Sequence, residues 1–149
     1  MVALGLFAPA TAQQVKISKL SNASFGSISN FTSDVTKTQN VCAYSSATGG
    51  RYNVTATGSG SGGAFTLSGS SGSTLAYEVQ WEDSSGQTVG TALTAGVALT
   101  GQTTGATASG CGSGPSTTAS LTILLRTSTI TSANATSYSG TLTLMLAPE

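Results

Sequence analysis

The chain closes on the run Tyr138-Ser139-Gly140-Thr141-Leu142-Thr143-Leu144-Met145-Leu146. Tyr138, Leu142, Leu144 and Leu146 share one parity, and Ser139, Thr141 and Thr143 take the other. A period of two over this length predicts a half-buried β-strand, with the apolar face turned inward and the hydroxyl face outward. Only Ala147, Pro148 and Glu149 follow. If the fold needs a further neighbour beside this strand, it is expected from the N-terminal segment or from another molecule.

Working back from that strand, the same period recurs. Ala119, Leu121, Ile123 and Leu125 alternate with Ser120, Thr122 and Arg126, and Leu75, Tyr77, Val79 and Trp81 alternate with Ala76, Glu78, Gln80 and Glu82. Tyr52, Val54 and Ala56 form a third stripe, and Phe65 with Leu67 a shorter one. Val35, Val41 and Tyr44 mark a strand that carries Cys42 near its end, while Phe25, Ile28 and Phe31 are apolar but off strict period, as at a bulge or bend. Gly/Ser clusters separate these runs, and Asp83-Ser84-Ser85-Gly86 reads as a hairpin turn. No stretch has helical period and no unit recurs at solenoid spacing. Seven to nine short strands at this turn spacing predict a single all-β domain, an antiparallel β-sandwich over residues 13–149.

Composition agrees. Charged residues are 7% of the chain, against about a quarter in ordinary proteins, and Ser and Thr make up roughly a third. Hydroxyl side chains at outward positions suit pleated surfaces and turns, whereas helix surfaces favour Ala, Glu, Lys and Arg. The five cations, Lys16, Lys19, Lys37, Arg51 and Arg126, are scattered and balanced by five carboxylates. Without clustered cations to displace counterions, no nucleic-acid partner is expected.

Residues 1–12 differ from the rest. An apolar run, Val2-Ala3-Leu4-Gly5-Leu6-Phe7, leads to Ala10-Thr11-Ala12, the small-x-small pattern of a signal-peptidase site, with Gln13 as the mature start. The basic opening of such a leader is missing, so residues 1–12 read as a signal peptide truncated at its start. Two cysteines, Cys42 and Cys111, fit export and predict one disulfide, whose loop of about 70 residues is worth about 4 kcal/mol in the chain-entropy description.

Catalytic chemistry is not expected. The chain has no histidine, which removes Ser-His-Asp and Cys-His arrangements and the usual imidazole metal sites. Gly58-Ser59-Gly60-Ser61-Gly62-Gly63 precedes a short strand, lacks a following Lys-Ser or Lys-Thr, and is not a phosphate cradle. Glu78 and Glu82 share an outer strand face, where a solvated pair is expected and not a glycosidase acid and base. Tyr77 and Trp81 share parity with Leu75 and Val79, which favours core packing over a ligand platform. No cofactor or metal is expected.

Taken in order, these runs resemble a family. Phe25-Gly26 ahead of a strand that ends near Cys42, then Tyr52-Asn53-Val54, then Leu75-Ala76-Tyr77-Glu78-Val79, and the closing Tyr138-Ser139-Gly140-Thr141-Leu142-Thr143-Leu144 with Ala147-Pro148-Glu149 are similar to the spore coat protein U-like domain, the fold of pilins from archaic chaperone–usher pathways. The resemblance implies an immunoglobulin-like sandwich that lacks one edge strand and so keeps an open edge at Tyr138, Leu142, Leu144 and Leu146. It implies a periplasmic chaperone that lends a strand, an outer-membrane usher, and neighbouring pilus subunits whose N-terminal extensions replace the lent strand, which is strand addition to a sheet edge. The candidate donor here is residues 13–20, with Val15 and Ile17 as plugs; the alternative is that these residues form the domain's own first strand. The function so implied is a structural subunit of a secreted surface fimbria, reached through the periplasm and involved in adhesion and biofilm. The alternatives are a tip or surface adhesin of the same fold, or another secreted ligand-binding sandwich.

Overall fold

The computed structural model describes residues 11–149. The leader read over residues 1–12 thus lies outside the described residues except for Thr11 and Ala12, which are exposed.

The all-β expectation is borne out. Among the described residues ten strands, all paired antiparallel, make two facing sheets and a small hairpin. The first sheet has the order β1-β2-β9-β6-β7, from β1 (Val15–Ser18), β2 (Val35–Ser45), β9 (Ala119–Leu125), β6 (Glu78–Glu82) and β7 (Thr91–Ala92). The second has the order β10-β3-β8, from β10 (Leu142–Pro148), β3 (Arg51–Gly58) and β8 (Ala98–Thr103). β4 (Thr66–Ser68) and β5 (Thr74–Ala76) form the hairpin. The count exceeds the seven to nine read from sequence because β4, β5 and β7 are only two or three residues long.

The sheets close over one core. Tyr52, Val54 and Ala56 of β3 face Val41 and Ala43 of β2, Val79 and Trp81 of β6, and Ala119, Leu121 and Leu125 of β9. Trp81 is fully buried and donates its indole N–H to the Tyr52 hydroxyl at 3.2 Å, with the two rings edge to face at 6.4 Å. That bond spares the core an unpaired polar group. The four-residue stripe from Leu75 to Trp81 is buried throughout but is not one strand. It divides at Tyr77, whose N–H bonds the Phe65 carbonyl, so that β5 pairs with β4 while β6 pairs with β9. A single alternating run thereby serves two sheets.

Three further departures from the sequence reading have local causes. Tyr44 lies on the face opposite Val41 and Ala43, with half-buried Tyr44 standing among outward residues. Ser120 and Thr122, expected outward, are buried because the connection between β6 and β7 folds over them: Ser120 Oγ donates to the Ser84 carbonyl and accepts from Gln87 N–H. A short helix, α1 (Thr127–Thr131), follows β9 and buries Ile130. No helical period marks it; Asp34 holds its first turn, accepting from the Thr127 N–H at 2.8 Å and the Thr127 hydroxyl at 2.9 Å.

Cys42 and Cys111 are joined in a disulfide across a separation of 69 residues. The connection that carries Cys111 is also tied to β2 through the Ala43 carbonyl, which accepts from the hydroxyls of Thr104 and Thr118. No helix among the described residues is long and apolar enough to cross a membrane.

Candidate functional site

β10 begins at Leu142, not at Tyr138, and runs to Pro148. Upstream, Ser139 exchanges both backbone hydrogen bonds with Ser68, at 2.8 and 3.0 Å, in an isolated bridge to β4. Gly140 lies between bridge and strand, where a Cβ would stand 2.8 Å from Ser59 Oγ and 3.0 Å from Leu67 Cδ2. A side chain there would have to push both of these side-chain ends aside.

In an antiparallel ladder each residue directs both its N–H and its C=O to the same side, and sides alternate along the strand. Glu149 donates its N–H to the Arg51 carbonyl, and the register of β10 with β3 continues unshifted through Ala147↔Asn53, Met145↔Thr55 and Thr143↔Thr57. The odd residues of β10 therefore spend their backbone groups on β3. Leu142, Leu144 and Leu146 direct theirs to the opposite side, and there β10 is the edge of its sheet: no strand pairs with it among the described residues. The side chains of these three leucines point inward and are half-buried, while Thr143 and Met145 are exposed. An exposed ladder edge above an inward apolar row is a template for strand pairing.

Beside that edge lies a groove of about 1110 Å³. Its floor is the inner face of the first sheet, Leu121, Ile123 and Leu125, together with Leu75 and Tyr77; Leu142 and Leu144 form one wall. Leu121 and Leu125 are each 1% exposed, yet Ile123 between them is only half-buried. Ile123 sits in the middle of a central strand, so its exposure locates the gap in the second sheet. Burial of the Tyr77 side chain raises its phenol's pKa, as expected for a floor residue.

The other wall is the chain between β1 and β2. Residues 20–31 line the groove with Leu20, Phe25, Ile28 and Phe31. Among the described residues this segment makes no backbone–backbone hydrogen bond. It is held by side chains: Ser21 N–H and Oγ both donate to Gln39 Oε1, at 2.8 and 3.1 Å, and Phe25 and Ile28 pack against the core. Leu20 and Phe31 stay 45% and 48% exposed. A segment with apolar side chains at a groove and unused backbone groups is a second surface on which an incoming strand can pair.

An ion-pair cluster sits where this segment meets β2. Arg126 donates to Asp34 Oδ2 at 3.0 Å and, through two nitrogens, to both oxygens of Glu78 at 2.8 and 2.7 Å. The hydrogen bond from the Thr127 amide, then its hydroxyl and the guanidinium, hold the Asp34 carboxyl below its ordinary pKa. The Arg126 hydrogen bonds do the same for Glu78, and the two carboxylates raise Arg126. No group of three or more metal-ligating side chains occurs among the described residues.

Of the residues singled out from sequence, Tyr138, Leu142 and Leu144 line the groove, and Leu146 continues the same row on β10. The donor candidates Val15 and Ile17 lie elsewhere. They stand in β1 of this same chain, Val15 opposite Ser45 and Ile17 opposite Ala43, half-buried against the core. Of the two readings of residues 13–20, this is the pairing of a first strand. Sequence reasoning missed Gln39 and Ile123 as groove residues. Ile123 carried no distinguishing signal, and Gln39 was hidden because polar residues interrupt the alternation of β2.

No family model and no curated protein sequence matches the chain. Among solved structures, it is similar to a chain of a chaperone–tip adhesin complex of CFA/I fimbriae biogenesis, with a TM-score of 0.56 and 18% sequence identity over 92% of its own length. The match spans 41% of that chain, so this protein corresponds to about two fifths of its length. This chain shares its fold with part of a fimbrial assembly component.

Proposed function

We propose that the protein is a structural subunit of a secreted surface fimbria, assembled by strand addition at β10. The observation that carries this reading is the row Leu142, Leu144 and Leu146, whose backbone groups face an unpaired edge while the side chains of Leu142 and Leu144 wall an apolar groove. An extended segment laid along that edge gains main-chain hydrogen bonds from β10 and buries alternate side chains on Leu121, Ile123 and Leu125. A periplasmic chaperone supplies such a strand before assembly, an outer-membrane usher exports the subunit, and a neighbouring subunit's extension takes the chaperone's place. Fold similarity to a chain from a chaperone–tip adhesin complex supports the pilus setting. The product is a fibre, and there is no turnover.

A tip or surface adhesin is the second reading, and one observation favours it. Val15 and Ile17 are already engaged by β2, so they are not free to act as a donor strand, and a tip protein needs none.

Periplasmic expression with and without the chaperone from the same gene cluster tests the main reading. The expected result is a soluble one-to-one complex with chaperone and aggregation without it. A soluble, heat-stable monomer made without chaperone would overturn it. Immunogold labelling of assembled fibres then separates the readings: a shaft subunit is found along the fibre, whereas a tip protein is found only at its end.

A further inference from the structure

The inner face of β2 carries a cation beside the groove. Lys37 lies directly opposite Ile123 in the β2–β9 register, and residues directly opposite in an antiparallel pair send their side chains to the same face. Ile123 faces the groove. The other face of β2 is identified independently by the Thr38–Thr122 hydroxyl pair and by Asn40 accepting from Ser120 Oγ. Lys37 therefore shares the inward face with Val35, Gln39 and Val41. It is exposed, and among the described residues no carboxylate lies within ion-pair distance of it. In a closed sandwich an inward lysine at mid-strand would be buried, which ammonium groups resist unless paired. Here its side chain stays exposed; Lys37 is not among the residues that line the groove but stands beside Ile123, which is.

A strand laid over Ile123 passes beside this ammonium. The residues lining the groove include no charged side chain, so this chain offers the ammonium no counter-charge there. This inference rests on the strand-addition reading: we propose that Lys37 selects the strand that fills the groove, and that this strand carries a carboxylate at the inward position nearest Lys37. Alternate inward positions are otherwise apolar, matching Leu121, Ile123 and Leu125. Opposite charge across an interface contributes to choice of partner and to register, and a like charge there is costly. A single acidic residue in an otherwise apolar alternating strand thus fixes which partner enters and at which register.

The test uses the full chain, held in complex with its chaperone, and measures strand exchange by synthetic peptides. Each peptide is about ten residues long, the length of strand such an edge can pair, and alternates Val or Ile with Thr. In one set Glu is moved along the inward positions, in a second Gln, in a third Lys. The expected result is that one Glu peptide exchanges about tenfold better than its Gln counterpart, that the Lys counterpart is worst, and that the preference shrinks with added salt. In Lys37→Glu the order inverts, so that the Lys peptide becomes the best; in Lys37→Gln it flattens. Because Lys37 is exposed, unchanged Trp81 fluorescence checks that the variants are folded, and the salt series on the unaltered chain needs no variant. Exchange that is equal for Glu, Gln and Lys peptides, or an order that Lys37→Glu leaves unchanged, overturns the charge requirement alone. Exchange by none of the peptides removes the strand-addition reading and this inference together.

Discussion

At the residue scale, the most consequential polar contact in the core is the one between Trp81 and Tyr52. Burial dominates the Tyr52 phenol and raises its pKa, so it stays protonated and available to accept the indole N–H. Tyr52→Phe leaves that N–H buried without a partner, at a cost of about 1–3 kcal/mol; urea unfolding followed by Trp81 fluorescence should show a lower midpoint with an unchanged slope. The Arg126 cluster behaves differently because it is exposed. Asp34 and Glu78 both have lowered pKa values in the fold, so they favour the ionised, folded form. Their contribution is complete above the ordinary carboxylate values of 3.8 and 4.5 and is lost as the pH falls through the depressed values. Arg126→Gln should remove most of Glu78's share, which comes first from Arg126, and leave most of Asp34's, which comes first from the Thr127 amide. Urea midpoints at pH 7 and pH 3 for both proteins measure this: the acid-induced drop persists in the variant but is smaller.

At the scale of elements, the terminal strand offers a sharper experiment, because adjacent residues have opposite roles. The amide of Met145 belongs to the ladder with β3, while that of Leu144 faces the open edge. Met145 is 63% exposed and packs little, yet Met145→Pro should destabilise the domain by removing a ladder donor in a paired strand. Leu144→Pro should leave a domain about as stable as Leu144→Ala but unable to accept a strand. Thermal unfolding together with chaperone binding distinguishes these outcomes. How much of this was legible beforehand varies by element. The stripes at residues 52–56, 75–81, 119–125 and 138–146 were readable because their inward positions are apolar and their outward ones hydroxylic. What period two cannot convey is a change of sheet, so the division at Tyr77 was invisible. It also cannot convey a second cover, so Ser120 and Thr122 read as outward although the chain between β6 and β7 buries them. In β2 the inward positions 37 and 39 are Lys and Gln, which blurs the alternation where the groove makes polar inward residues affordable. The helix at Thr127–Thr131 was hidden by its Thr and Ser content and is held from a distance by Asp34.

For the whole molecule, the account rests on a sandwich whose second sheet stops one strand short. The second sheet has three strands against five in the first, and Leu121, Ile123 and Leu125 of the first floor a groove that the second does not cover. The disulfide ties Cys111 to β2 away from that gap, as do Thr104 and Thr118. The segment over residues 20–31 borders the gap without closing it by backbone pairing. The most direct test is a short amide hydrogen-exchange pulse, read at residue resolution, applied to the chain just stripped of its chaperone and quenched before it aggregates. The account predicts alternation along β10: slow exchange at Thr143, Met145 and Ala147, and fast exchange at Leu142, Leu144 and Leu146, with the fast set becoming slow once a strand is supplied. Slow exchange at all six amides in the isolated monomer would mean that the edge is already filled, and would contradict it.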